Sequence, residues 1–288
     1  MTAVFDPRFR GLLGEIVRRA PAVRGGRDRE ATARRRVAAG SGTFSGHRAY
    51  GVGEDLRLVD WNVYARSGEL FLKVLEAEDR RTLTILVDRS PSMTTGTPLR
   101  LTGGLRLAAI LGALALARLD GLHLVLGPRE HHVLQGARSL ELMLRLLAAA
   151  NVATVPPLDL AMAPLDHGWL GAIAWISDFA VPQEYSSALR LLRRHGRTCT
   201  GYLPVVAEDE HPFADGWVEF VDPETGREER LEVDARLRAA MEQELRHLAR
   251  RQASEFRAVG YPLVRMRLPA EHDFRLAAWW DGTWRSSI

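Results

Sequence analysis

The chain has 288 residues, 46% of them hydrophobic and 26% charged, which is typical of a folded globular protein and excludes disordered and collagen-like classes. Its 39 basic and 36 acidic side chains leave a net charge of +3, too small for a protein that coats nucleic acid. The only lysine, Lys73, does not lie in a Gly-Lys-Ser/Thr sequence, so the chain is not a P-loop ATPase.

The number of cysteines and the hydropathy of the sequence indicate the cellular compartment of the protein. Cys199 is the only cysteine, which excludes an intrachain disulfide and a cysteine-based zinc cluster. The first residues contain an early acid and no apolar signal core. The longest apolar run, residues 107–117, is shorter than the ~20 residues that a membrane-spanning helix needs. We therefore predict a soluble, cytoplasmic protein in which this run forms a buried helix.

An arginine-rich stretch lies near the start of the chain. Residues 18–36 contain eight arginines, followed by small residues and glycines up to Gly46. The composition favours a solvated arm or a loop laid over the domain by arginine pairs. The alternative is a basic contact surface for nucleic acid or for an acidic partner. No aromatic residues are interleaved to support single-strand binding.

From residue 82 onwards, short apolar runs alternate with helical patterns. Such alternation predicts an α/β fold with a doubly wound, mostly parallel six-stranded sheet. Strands are predicted at 82–87, 122–126, 131–134, 171–177, 197–203 and 263–268, helices at 98–118, 139–150, 182–195 and from Asp234 to about Gly260, and a hairpin at 217–221 and 228–233.

These elements divide the chain into four segments. We predict an N-terminal arm and charged block packed on the sheet, then the α/β core, a hairpin insertion, and a last helix and strand that complete the core. The corresponding residues are 1–80, 81–207, 208–233 and 234–288.

Two predicted strands each end in an aspartate. Asp88 follows the first core strand in the sequence Asp88-Arg-Ser90-Pro-Ser92, and Asp178 follows the strand at 171–177. Ligands of doubly wound sheets bind beyond the carboxyl ends of the strands. A carboxylate and two hydroxyls spaced two residues apart offer hard oxygen ligands that suit Mg²⁺ or Mn²⁺. The alternative is that the hydroxyls cap a helix and Asp88 binds backbone amides.

At this point the chain resembles a von Willebrand factor A-like domain, whose metal-ion-dependent adhesion site opens with this motif. More narrowly, it is similar to the domain-of-unknown-function 58 family, which carries Arg-x-Tyr, Gly-Asp-Asp-x-Arg, Ile-Asp-Trp and Ala-Arg ahead of the first core strand. Glu54 replaces the first aspartate of the second motif. The matching residues are Arg48 and Tyr50, Gly53 to Arg57, Val59 to Trp61, Ala65 and Arg66, and Ser177 to Phe179.

The resemblance implies a set of metal ligands. Asp88, Ser90 and Ser92 match the first loop of the adhesion site, and Asp178 matches the aspartate that reaches the metal through water. The middle loop departs from the family pattern Gly-Gly-Thr-Asp-Leu, because Leu158 stands in place of the threonine. Thr154 is the nearest substitute. We therefore expect at most weak binding of Mg²⁺ or Mn²⁺.

The upstream block alternates charges around aromatic residues. One interpretation is a structural ion-pair network that clamps this segment to the sheet, with Trp61 buried. The other is a partner-docking surface. The candidate partner-binding residues are Arg48, Arg57, Asp60, Trp61 and Arg66, together with Arg89 in the first loop.

Two functions from different classes compete. Proteins of the resembled family are commonly paired with MoxR-type AAA+ ATPases, which implies a non-enzymatic adaptor or co-chaperone that binds an acidic side chain of the ATPase. Asp88 and Ser90 lie in a loop, so we expect their alanine variants to fold. The alternative is a metal-assisted phosphoryl hydrolase at the same strand ends, which needs a firm metal site and a general base. RNA binding through residues 18–36 is a third possibility.

Overall fold

A computed structural model describes residues 4–19, 43–51, 59–76, 82–96, 99–118, 121–169, 171–209 and 215–268. The chain divides into two compact units, one of Met1–Pro21 with Arg81–Ile288 and the other of Ala22–Arg80. The first residues thus belong with the larger unit, whereas we predicted them with the charged block. The arginine-rich stretch lies almost wholly outside the described residues.

The smaller unit contains two strands and a short helix. Strand β1 (Thr43–Ala49) pairs antiparallel with β2 (Phe71–Glu76), with an irregularity between Phe44 and Gly46. Helix α2 (Trp61–Ser67) begins at Asp60, whose carboxylate accepts hydrogen bonds from the amides of the first helical turn. That contact satisfies amides that the start of a helix leaves without intrahelical partners.

The larger unit has a continuous α/β pattern. Its elements are α1 (Pro7–Arg19), β3 (Thr82–Val87), α3 (Arg100–Arg118), β4 (Gly121–Val125), β5 (His131–Leu134), α4 (Leu140–Ala148), α5 (Pro157–Asp166), β6 (Ala172–Ile176), α6 (Pro182–Arg194), β7 (Thr198–Val205), β8 (Gly216–Val221), β9 (Glu228–Val233), α7 (Ala235–Ala258) and β10 (Leu263–Arg267).

Six of these strands form the central sheet in the order β10-β7-β6-β3-β4-β5. Five strands run parallel, and only the edge strand β5 is antiparallel to its neighbour β4. The middle strands are largely apolar because helices cover both of their faces, with Thr82 and Thr84 of β3 and His123 of β4 as exceptions. This confirms the predicted doubly wound, mostly parallel six-stranded sheet, and the arrangement is consistent with a von Willebrand factor A-like fold.

Two hydrophobic clusters fill the two sides of the sheet. Ile85 and Val87 of β3 pack with residues of α1, α3 and α4, whereas Leu86 packs with residues of α5, α6 and α7. The alternation follows from the two-residue period of a strand. Helix α3 is long and apolar enough to cross a membrane, but 78% of the window Arg100–Ala117 is buried inside the folded chain. That burial is typical of a core helix.

The hairpin of β8 and β9 and the helix after it follow the predicted boundaries closely. Asp234 caps α7, with its carboxylate 2.7 Å from the amide nitrogen of Leu237. Helices α1 and α5 were not predicted from the sequence. In α5, Pro157 lies in the first turn, where a missing amide costs nothing.

Candidate functional site

The two aspartates that end apolar runs lie on neighbouring strands. Strands β3 and β6 pair in parallel, and the amide of Asp88 continues the ladder with a 2.9 Å hydrogen bond to the carbonyl of Ile176. Asp178 therefore follows β6 at the same edge of the sheet. Both side chains are buried. The structure thus brings the two predicted carboxylates together at the carboxyl ends of central strands.

Asp88 is held by three donors. Its Oδ1 accepts the amide of Ser90 at 2.9 Å, and its Oδ2 accepts the hydroxyls of Ser177 and Tyr185, each at 2.7 Å. The two hydroxyls are also 2.7 Å apart. Charge-assisted bonds of this kind keep an ionised carboxylate stable in a dry interior. Asp88 is consequently fixed in orientation and is part of the core as well as of the loop.

This burial corrects one expectation from the sequence. We predicted that Asp88→Ala would leave the fold intact because Asp88 lies in a loop. The contacts contradict that premise, since the substitution leaves the hydroxyls of Ser177 and Tyr185 without their buried acceptor. An unpaired buried polar group costs about 1–3 kcal/mol.

The serines of the first loop lie between Asp88 and Asp178. The hydroxyls of Ser90 and Ser92 lie 3.0 Å apart, and the Ser92 side chain is close enough to Asp178 to act on the pKa of that carboxyl. Both serines are only half-buried. The four predicted metal-site residues, Asp88, Ser90, Ser92 and Asp178, therefore lie together at this edge of the sheet, with the two serines less buried than the two aspartates.

Arg100 supplies a positive charge beside this group. Its Nη1 is 3.8 Å from Asp178 Oδ2, and its Nη2 is 2.8 Å from Asp209 Oδ1. Burial, with the charge of Asp88 nearby, raises the pKa of Asp178, while Arg100 and the Ser92 hydroxyl act in the opposite direction. A cation or a proton at Asp178 would relieve the repulsion between the two carboxylates.

The loop that carries Asp178 has a strained backbone. Phe179 has φ of 49°, in the left-handed region that side chains other than glycine rarely adopt. Its amide donates to Ser177 Oγ, and Gln252 of α7 donates to the carbonyls of Asp178 and Phe179 at 2.8 and 3.2 Å. Strain of about 1–3 kcal/mol persists only where surrounding contacts hold it, as these contacts do.

The middle loop runs beside the first. The amide of Ala153 donates to the carbonyl of Arg89 at 2.8 Å, which brings Thr154 next to the site. Leu158 lies in the first turn of α5 and its side chain is 42% exposed, without an oxygen to offer.

The side chains at this site are of the chemical type that binds a hard divalent cation. Two carboxylates and two hydroxyls are oxygen ligands of the type that Mg²⁺ and Mn²⁺ prefer. Across the described residues, no group of three or more His, Cys, Asp or Glu side chains is arranged to hold a metal ion, so a cation here would depend on the two serine hydroxyls as well. When bound, a cation would supply positive charge beside Asp88 and Asp178.

Arg89, which we predicted to bind a partner, lies inside the protein. Its side chain is 6% exposed, with Nε 2.9 Å from the carbonyl of Leu126 and Nη2 2.7 Å from Glu130. These contacts fix the first loop to the turn after β4. Arg89 thus positions the loop, and Arg100 is the cation next to the carboxylates.

The charged block of the smaller unit is only partly described. Trp61 is 58% exposed, so the interpretation in which this tryptophan is buried is wrong. Asp60 pairs with His47, with 2.9 Å between Oδ2 and Nε2, and Arg66 lies exposed in the last turn of α2. Arg48 lies on β1, and Arg57 falls outside the described residues.

Sequence reasoning missed four residues at the site. Ser177 and Tyr185 bind Asp88, Arg100 faces Asp178, and Glu224 of the hairpin turn accepts the amide of Ser92 at 3.0 Å. Ser177 could have been found from the sequence, because it directly precedes Asp178 at the end of a predicted strand. The other three contacts join distant parts of the chain, and no local spacing indicates them.

Comparisons with known proteins identify the family. The sequence model described as "Protein of unknown function DUF58" matches residues 46–252. The chain is 14% identical to the conserved hypothetical protein BatB from Bacteroides thetaiotaomicron, with a TM-score of 0.37 over 66% of this chain and 91% of that one. It is 16% identical to an aerotolerance-related membrane protein from Bacteroides fragilis NCTC 9343 with multiple mutations to serines, with a TM-score of 0.36 over 65% and 91%.

No curated protein matches the chain. The family match spans well over half of the residues and includes both the charged block and the two strand-end aspartates. The chain therefore belongs to the DUF58 family.

Proposed function

We propose that the chain is a non-enzymatic protein-interaction module that binds an acidic side chain of a partner at Asp88, Ser90, Ser92 and Asp178. The observation that carries the proposal is the hydrogen bonding of the Asp88 carboxylate. Both of its oxygens accept hydrogen bonds from Ser90, Ser177 and Tyr185, so this carboxylate is committed to structure. A carboxylate so bound is a poor nucleophile and a poor general base.

The partner chemistry follows from the groups that face solvent. The half-buried hydroxyls of Ser90 and Ser92 donate hydrogen bonds, and the guanidinium of Arg100 lies behind them next to Asp178. Hydroxyl and guanidinium donors bind carboxylates well. A weakly held Mg²⁺ or Mn²⁺ would add to the same attraction.

The partner that the family resemblance implies is an AAA+ ATPase of the MoxR type. The chain has no Walker lysine of its own, which is consistent with an adaptor or co-chaperone whose energy comes from a partner. We place this assembly in the cytoplasm, in line with the absence of disulfide chemistry in a chain with one buried cysteine, Cys199.

A capture experiment tests the proposal. The cognate ATPase is pulled down with native chain, with the double variant Ser90→Ala/Ser92→Ala, and with Ser254→Ala, an exposed serine of α7, as the matched control. These variants spare the buried Asp88. We expect at least tenfold weaker capture by the double variant and native capture by the control, with circular dichroism confirming the fold.

Undiminished capture by the double variant would refute the proposal and would make the block around Trp61 the better docking candidate. The competing hydrolase is tested with the same chains. Hydrolysis of p-nitrophenyl phosphate in the presence of Mn²⁺ that disappears in the double variant, but not in Ser254→Ala, would favour the enzyme instead.

A further inference from the structure

The turn between β8 and β9 is built around Asp222. Its Oδ1 accepts the amide of Glu224 at 2.9 Å, and its Oδ2 accepts the hydroxyl of Thr225 at 2.6 Å. Both bonds favour the ionised carboxylate, and they lower the pKa of Asp222. The turn closes with a hydrogen bond from the amide of Gly226, at φ of 70°, to the carbonyl of Asp222. The backbone of Glu224 is therefore held in one conformation.

The rest of the hairpin is a two-stranded ribbon. The residues of its two strands are mostly exposed. Of these, only Val233, at the end of β9, is fully buried. At its base, Arg238 of α7 pairs with Asp215 at 2.9 Å. A lone two-stranded ribbon is only marginally stable in water, so contacts at its two ends decide where it lies.

At the tip, Glu224 contacts the candidate site. Its Oε1 accepts the amide of Ser92 at 3.0 Å and so joins positions 132 residues apart. Ser92 is one of the candidate site residues, and its hydroxyl lies 3.0 Å from that of Ser90. The hairpin thus presents a glutamate carboxylate to the loop that the proposed function assigns to an acidic partner.

The contact is of a kind that an outside carboxylate can replace. Glu224 is exposed, and its contact with the first loop is a single hydrogen bond from the amide of Ser92. Exposed hydrogen bonds exchange readily with water and with competing acceptors. A partner glutamate that binds the first loop would compete with Glu224 for the amide of Ser92.

We propose that Glu224 is an internal ligand that occupies the site in the free chain, so that the hairpin tip must leave before an acidic segment of a partner can bind. The inference rests on the proposed function for the identity of the outside ligand. The outside ligand is a glutamate side chain of an acidic peptide. Because the free chain spends most of its time closed, the apparent affinity for that peptide falls by the fraction of open chain.

The first test measures the contact without any partner. Amide hydrogen exchange at Ser92 is followed by NMR in native chain, in Glu224→Ala and in Glu228→Ala, which removes an exposed glutamate from β9 of the same hairpin. We expect exchange at least tenfold faster in Glu224→Ala and unchanged in Glu228→Ala. Equal exchange in all three chains would overturn the inference.

The second test measures competition, with a fluorescein-labelled octaglutamate peptide as probe. If Glu224 occupies the site nine-tenths of the time, Glu224→Ala binds the peptide about tenfold tighter than native chain does. Glu228→Ala changes the net charge equally and should bind as native chain does.

Failure of the proposed function and failure of the inference about Glu224 give different results. If Ser90→Ala/Ser92→Ala binds the peptide as well as native chain does, or if no chain binds it, the result counts against the proposed function, and the exchange measurement still decides on Glu224. If binding needs the two serines but Glu224→Ala and Glu228→Ala bind equally, the proposed function stands and Glu224 is not an internal ligand.

Discussion

Replacing Tyr185 by phenylalanine tests whether Asp88 is a buried, charged acceptor. The ring of Tyr185 packs between Trp175 and Phe179, with centroids 5.4 and 4.9 Å away, and the substitution keeps those contacts. It removes one of the hydroxyls that reach Asp88 at 2.7 Å. Hydrogen bonds to charged groups contribute roughly 1.5–3 kcal/mol, so we expect Tyr185→Phe to lower the free energy of unfolding by about 2 kcal/mol.

Tyr261→Phe is the matched control. Tyr261 is also buried, and its hydroxyl donates over the same 2.7 Å, but the acceptor is the neutral carbonyl of Arg197. A neutral hydrogen bond contributes about 1 kcal/mol. Urea unfolding followed by circular dichroism at pH 7 gives both values, and the difference between them isolates the charge of Asp88. A loss for Tyr185→Phe no larger than that for Tyr261→Phe would refute the reasoning.

Three further predictions concern pH, metal and packing. Burial lowers the pKa of His123 from 6.5 to about 4, so the stability that it contributes is complete above pH 6.5 and is lost as the pH falls towards 4. In urea unfolding, the free energy of unfolding should fall by about 2 kcal/mol less between pH 7 and pH 4.5 in His123→Gln than in native chain. The exposed His247→Gln should behave as native chain does. Calorimetry should find at most roughly millimolar binding of Mg²⁺ and tighter binding in Leu158→Thr; tight binding by native chain would contradict the assigned role of Leu158. Gly201→Ala should lower the free energy of unfolding by roughly 1–3 kcal/mol, because the added Cβ collides with the ring of Phe256; native stability in urea would contradict this.

The sheet was predictable from the sequence because its signal is local. The runs that became β3 and β6 are β-branched or apolar, without the polar alternation of a strand that faces water, and an aspartate follows each run closely. Parallel strands have their carboxyl ends at the same edge of a sheet, which places Asp88 and Asp178 at one edge. This is why the backbone of the site followed from pattern alone.

The chemistry around the aspartates did not follow from pattern. Tyr185 lies on the buried face of α6, where an aromatic residue reads as core, and only the folded structure reveals the hydroxyl at Asp88. Arg100 and Glu224 reach the site across the fold. Trp61 was open to two interpretations from the sequence, and its exposure contradicts only the one in which it is buried. Tertiary contacts, which have no sequence period, decided each of these cases.

The hairpin and helix α7 are consecutive in the chain, joined at Asp234, and together they reach both loops of the site. Glu224 at the hairpin tip contacts the loop of Ser92, and Gln252 of α7 holds the carbonyls of the loop of Asp178. A mechanical load on the hairpin would therefore be transmitted to the two halves of the site along one covalently continuous segment.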